Sequence, residues 1–130
     1  MTICDTHILI FWQDDPKRLT ASAREAIKKG FQDKNLACSD ISLWEISMLF
    51  KSGRLRNDIA PVQYMSDLCL VLSLTVLPIT PEIATLSQED FFLHKDPADR
   101  IIAATAIHHN ASLITADKKL RNLKQLNVIW

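Results

Sequence analysis

Two kinds of apolar run alternate along the chain. Short ones, Thr2-Ile3-Cys4, Asn35 to Ser39, Leu74 to Leu77, Ser112 to Thr115 and Asn127 to Trp130, have the length and β-branched content of buried strands. Longer ones with helical spacing lie between them. Thr6 to Trp12 predicts a helix ended by Gln13-Asp14-Asp15-Pro16, and from Thr20 the positions Ala21, Ala23, Ala26 and Ile27 predict an amphipathic helix stopping near Gly30. Ser39 or Asp40 can cap a helix over 41–50, followed by the basic turn Lys51 to Arg56. Pro61 begins a helix from Ala60 to Leu72 with Val62, Met65, Leu68, Cys69 and Leu72 on its apolar period. A short helix runs from Thr80-Pro81-Glu82 to about Leu86, and Ser87 to Lys95, with Phe91, Phe92 and His94, reads as a loop. Ala98 to His109 is the next helix, closed by Asn110 in a left-handed conformation, and Asp117 opens a short basic helix over Lys118 to Leu123.

Strands alternating with helices define an α/β fold, here a three-layer sandwich with a mainly parallel central sheet of about five strands. The 130 residues make a single domain by length, large enough to bury a core unaided. Apolar residues form 48% of the chain and charged ones 23%, which excludes a disordered tail. Fifteen basic residues balance fifteen acidic ones, so nucleic acid cannot be held by broad electrostatic attraction; local positive charge or bound metal would be needed. Cys4, Cys38 and Cys69 lack zinc-ligand spacing and fit a reducing cytoplasm, while the absence of a leader-like or membrane-spanning stretch predicts neither export nor insertion.

Acids follow the strand-like runs. Asp5 closes the first, Glu45 lies just beyond the second, Asp117 follows the fourth, and Asp96 and Asp99 stand at the start of the 98–109 helix. Each alone has an ordinary explanation: Asp96 caps, Asp99 meets the positive end of the helix dipole, Glu45 completes a capping box with Ser42, and Asp117 caps its own helix. If the runs are neighbouring parallel strands, however, the carboxylates of Asp5, Glu45, Asp99 and Asp117 share one edge of the sheet. Converging carboxylates repel unless a cation offsets them, and an oxygen-only donor set suits Mg²⁺ or Mn²⁺. Such an ion binds a phosphate oxygen and makes a bound water more acidic, which is the chemistry of phosphodiester hydrolysis.

Five fragments together carry a family likeness: Cys4-Asp5-Thr6-His7 with its apolar run to Trp12; Ser39-x-x-Ser42-Leu43-Trp44-Glu45-Ile46; Lys51-x-Gly53-Arg54-Leu55; Asp96-Pro97-Ala98-Asp99-Arg100; and Thr115-Ala116-Asp117. In this order and spacing the chain resembles a PIN-domain ribonuclease of the VapC toxin type. The resemblance implies a metal-dependent endoribonuclease with Asp5, Glu45, Asp99 and Asp117 at a Mg²⁺ or Mn²⁺ site and Asp96 supporting them. It also implies an antitoxin whose C-terminal segment occupies the active-site groove. Thr6 and Thr115 are placed to orient water or a carboxylate; Arg100 either pairs with the acids, contacts RNA phosphate or stands on the surface. Lys51, Arg54, Arg56, Lys118, Lys119, Arg121 and Lys124 either flank the groove or form solvated faces. His7, His94, His108 and His109 lack metal-ligand spacing, and Trp12 and Trp44 suit a core or an interface. Apolar residues on several faces of the 41–50 helix predict a homodimer or antitoxin contact. The competing readings are a small metal-dependent phosphatase, disfavoured because no Asp-x-Asp follows the first strand, and a catalytically silent binding module whose acids only cap helices.

Overall fold

A computed structural model describes residues 1–56, 58–93 and 95–130; His94 of the expected loop lies outside the described residues. The elements are β1 (Thr2–Cys4), α1 (Thr6–Asp14), a 3₁₀ turn (Pro16–Arg18), α2 (Ala21–Gln32), β2 (Leu36–Ser39), α3 (Ile41–Lys51), α4 (Pro61–Val71), β3 (Thr75–Leu77), α5 (Pro81–Leu86), α6 (Pro97–His108), β4 (Ser112–Ile114), α7 (Lys118–Arg121) and β5 (Asn127–Ile129). All four strand pairings are parallel, in the order β3-β2-β1-β4-β5. The chain therefore builds outward from β1 through β2 to β3, then returns to the other side of β1 to add β4 and β5. That reversal opens a crevice beyond the carboxyl ends of β1 and β4, the place where open α/β sheets hold ligands.

Both sheet faces are covered, so successive strand residues enter opposite cores. Cys4, Leu36, Cys38 and Ile114 pack with α1, α2, α4 and Ile46 of α3. Ile3, Ala37, Leu113 and Leu77 pack with α5, α6 and Leu120 of α7. Ala103, Ala104 and Ala106 of α6 are fully buried, and their small size lets this helix lie close to the sheet. Burial also pushes the Cys38 thiol up to about 12, which leaves it an apolar filler and not a nucleophile.

Two expectations need correction. On α4, Val62 is 73% exposed and Tyr64 is fully buried. The inward row is Tyr64, Leu68 and Leu72, one turn apart, and the Tyr64 hydroxyl donates to Asp14 Oδ2 at 3.0 Å. Nor does α2 stop at Gly30: it runs to Gln32, and Lys34 takes the left-handed position with φ 54°. The Asn35 and Lys34 amides then donate to the Gly30 and Phe31 carbonyls at 3.0 and 3.2 Å, a Schellman motif that delivers the chain into β2. Ser73 and Asn110, with φ of 49° and 50°, do the same ahead of β3 and β4.

Gly30 is needed for a different reason, since a Cβ there would meet Leu36 Cδ1 at 2.8 Å. Alanine would gain about 1 kcal/mol of helix propensity but overpack the buried α2–β2 contact by about 1–3 kcal/mol. Gly30→Ala is therefore expected to lower the melting temperature by a few degrees; a rise would contradict the close approach.

Candidate active site

The crevice beyond β1 and β4 is a cavity of about 300 Å³ lined by Asp5, His7, Phe11, Glu45, Asp96, Asp99, Ala116 and Asp117. Every acid singled out in the sequence borders it. Asp5 arrives on the end of β1, Glu45 from the second turn of α3, Asp96 and Asp99 from the entrance of α6, and Asp117 from the turn after β4. One carboxylate oxygen from each of Glu45, Asp96 and Asp99 lies within 4.8 Å of the others. The tightest group thus includes Asp96, which the resemblance places in support, and stands beside Asp5 and Asp117 in the same cavity.

Hydroxyl groups fix the two buried acids. Thr115 Oγ1 donates to Asp5 Oδ2 at 2.7 Å, and the Thr6 amide donates to Asp5 Oδ1 at 2.7 Å. Thr6 Oγ1 spends its one proton on Glu45 Oε1, so with Glu45 ionised the 2.8 Å contact between Thr6 and Ser42 has Ser42 as the donor. The Asp117 amide donates to Thr115 Oγ1 at 3.1 Å, which joins the turn after β4 to the same chain of bonds. Ser42 is thus part of the acid network, although at sequence level its spacing from Glu45 suggests a capping box. Helix α3 is started otherwise: Ser39 Oγ accepts the Ile41 amide at 3.2 Å, while Asp40 Oδ2 accepts that of Ile79.

Two acids also have capping duties. Asp96 accepts the Ala98 amide at 2.9 Å, and Asp117 Oδ1 accepts those of Lys119 and Leu120 at 2.8 and 3.2 Å. Capping uses one edge of a carboxylate and leaves both residues on the cavity wall, so the two readings of Asp117 coexist geometrically. Arg100 is outside that wall; its Nε donates to the Ser87 carbonyl at 2.8 Å and ties α6 to the end of α5.

Burial pushes the Asp5 carboxyl above the usual carboxylate range; the Thr115 bond, His7 and the Thr6 amide pull it back, and the Asp117 charge adds to the rise. Glu45 is raised by the same desolvation, opposed by the Thr6 bond and reinforced by Asp5 and Asp96. In both acids, burial and neighbouring carboxylates outweigh the pull of His7 and of the hydrogen bonds.

A second, apolar cavity of about 350 Å³ shares Glu45 and Asp96 with the first and is walled by Ile41, Trp44, Met48 and Ile101. Trp44 and Met48 are 58% and 45% exposed, so Trp44 belongs to no core, whereas Trp12 packs against one.

A family model described as PIN domain matches residues 2–126. Ribonuclease VapC22 of Mycobacterium tuberculosis is 32% identical over 121 residues, covering 92% of this chain and 89% of that protein. Among solved structures, VapBC2 from Rickettsia felis bound to a promoter DNA fragment superposes with a TM-score of 0.69 at 21% identity, over 98% of this chain and 96% of that one. FitAB bound to the IR36 DNA fragment gives 0.66 at 20% identity, covering 98% and 93%. A toxin-antitoxin complex from Klebsiella pneumoniae gives 0.62 at 22%, covering 97% and 95%.

The raised Glu45 carboxyl has a measurable sign. Its proton is held more tightly in the folded state, so its contribution to stability is full below the ordinary value of 4.5 and is lost as pH rises through the folded value. Glu45→Gln removes this titration. In EDTA, the melting temperature of the wild type relative to Glu45→Gln should fall as pH rises above the ordinary value of 4.5 and level off once the folded-state carboxyl is ionised; a constant difference would show that burial does not oppose ionisation of Glu45.

Proposed function

The chain belongs to the PIN-domain family, and from this we propose that it is a VapC-like ribonuclease toxin that hydrolyses RNA phosphodiester bonds with Mg²⁺ or Mn²⁺ bound by its carboxylates. One observation carries the reading. Acids from four separated segments line one cavity at the carboxyl edge of a parallel sheet, and three of them approach within 4.8 Å.

The donor set supports a hard divalent cation: it is oxygen only, and Asp5 and Glu45 pay a desolvation penalty that a cation offsets. Glu45, Asp96 and Asp99 would hold it, with Asp5 and Asp117 completing the wall. When bound, the ion supplies positive charge to a phosphodiester oxygen and acidifies attacking water. The protein's own residues supply position. Thr115 and Thr6 clamp Asp5 by both carboxylate oxygens, Ser42 and Thr6 orient Glu45, and Asp96 is held at the α6 entrance by its cap. Carboxylates fixed in this way need little reorganisation when charge develops on the substrate.

The apolar cavity beside the acids supports contact with another protein. Trp44 and Met48 rise from α3 at the edge of the acid site, where a cognate antitoxin segment or the second subunit of a homodimer would cover them and restrict the entrance. No described helix is long and apolar enough to cross a membrane. The cysteines are unpaired, which suits action in the cytoplasm, where RNA is found.

Purified protein with Mg²⁺ or Mn²⁺ is expected to cleave a mixed pool of structured RNAs. EDTA should abolish cleavage, and an Asp5→Asn/Asp99→Asn variant that retains its circular dichroism should lose at least about 100-fold in rate. Undiminished cleavage by that variant, or none by the wild type with either ion, would refute the reading.

A further inference from the structure

Beside the acid cavity lies a groove of about 320 Å³ whose lining carries three arginines, Arg18, Arg54 and Arg56, together with Asp14 and Asp15. His7 and Phe11 line both spaces, so one wall is common to them. Arg18 comes from the 3₁₀ turn, and its guanidinium lies 4.3 Å from the centroid of the Phe11 ring. Arg54 follows the Schellman turn closed by Gly53 at φ 75°, which turns the chain after α3 back toward α1. Arg56 is the most neutralised of the three, because Asp58 accepts from its Nε and Nη2 at 2.6 and 2.7 Å and Asp14 lies 3.7 Å away. None of Lys51, Lys118, Arg121 or Lys124 lines either space, and Lys119 lines a different hollow with Phe92 and Leu93.

We infer that the substrate strand leaves the acid cavity across Phe11 and runs through this groove, with Arg18 and Arg54 binding the backbone and a base beside the cleaved phosphodiester. This rests on the ribonuclease reading and adds the direction and chemistry of its substrate contacts. The protein has no net charge, so its attraction for RNA must be local, and the acids themselves repel phosphate. Arg18 and Arg54, in a groove that shares the His7 and Phe11 wall with the acid cavity, supply that local charge, while Asp14 is turned to Arg56 and the Tyr64 hydroxyl. Arginine suits the task, because its planar fork bonds phosphate by two N–H groups and its face stacks on bases. Phe11 is 8% exposed and lies beneath Arg18, so the guanidinium and not the ring is the stacking surface. A charged groove with a stacking plane fits an unpaired strand, whose bases are free to turn out of a helix.

The test reads binding without cleavage. Fluorescence anisotropy of a labelled, unstructured 12-nucleotide RNA is measured in EDTA across a KCl series for the wild type, Arg18→Gln/Arg54→Gln and, as a control on the outer face of α2, Arg24→Gln/Lys28→Gln. The groove variant is expected to bind about tenfold more weakly at 0.1 M KCl and to lose about 1.4 from the slope of log K against log [KCl], at about 0.7 per phosphate contact. The control should match the wild type. Arg56→Gln should have a smaller effect than Arg18→Gln or Arg54→Gln alone. Equal affinity and slope for the groove variant and the wild type would overturn the assignment, as would a wild type that binds no unpaired RNA. Retained RNA affinity with loss only of a partner protein's hold would overturn it in favour of a protein contact. Arginine-dependent binding by a wild type that fails to cleave with Mn²⁺ would leave the groove standing and defeat the ribonuclease reading instead.

Discussion

Like charges brought together out of water constrain this structure more than any other feature. Asp5 and Glu45 are 4% and 7% exposed, and each is pushed toward its neutral form by burial and by neighbouring carboxylates. A fold assembled only for stability would avoid the arrangement, because burying acids beside one another is among the larger destabilising effects known. It persists because the surroundings fix it from several directions. The Asp5 backbone is tied into the sheet through its amide to the Ile114 carbonyl at 3.0 Å, and its carboxylate is gripped by Thr6 and Thr115. The sheet order then matters twice: it places Thr115 of the β4 exit against Asp5 of the β1 exit, and it leaves the crevice between them open.

Much of the fold was legible because both faces of the sheet are covered. Short apolar strands and amphipathic helices announce themselves in such a chain, and all five strands lie where the apolar runs predict them. What escaped was set by contacts distant in sequence. Gly30 looks like a helix end, but its lack of a side chain is spent on Leu36, six residues further on and across the helix–strand interface. Val62 and Tyr64 fit a helical period about equally; the hydroxyl of Tyr64 finds Asp14 fifty residues away, and only the tertiary fold makes that choice. The 3₁₀ turn at Pro16–Arg18 was hidden behind ordinary turn chemistry.

The same division holds at the site. The acids were readable because they recur just past strand ends, a pattern that capping explains singly but not jointly. Ser42 was masked by its capping-box spacing, and its partnership with Thr6 needs α1 and α3 to meet. Arg18 carried no signal at all, since its place beside Phe11 depends on the chain folding back after α1. Asp96 and Asp117 show that a cap and a cavity wall are compatible roles for one carboxylate, so sequence reasoning that sets the two against each other poses a false choice.

The account stands or falls on whether the converging carboxylates hold a divalent cation. The most direct measurement is Mn²⁺ titration of the chelator-treated protein at pH 7.5, with free Mn²⁺ followed by electron paramagnetic resonance, for the wild type and for a folded Asp96→Asn/Asp99→Asn variant. The account predicts a saturable site in the wild type that is lost, or weakened by at least about tenfold, in the variant, because two of the three clustered carboxylate charges are gone. Equal Mn²⁺ uptake by both proteins, or no saturable uptake by the wild type, would contradict it.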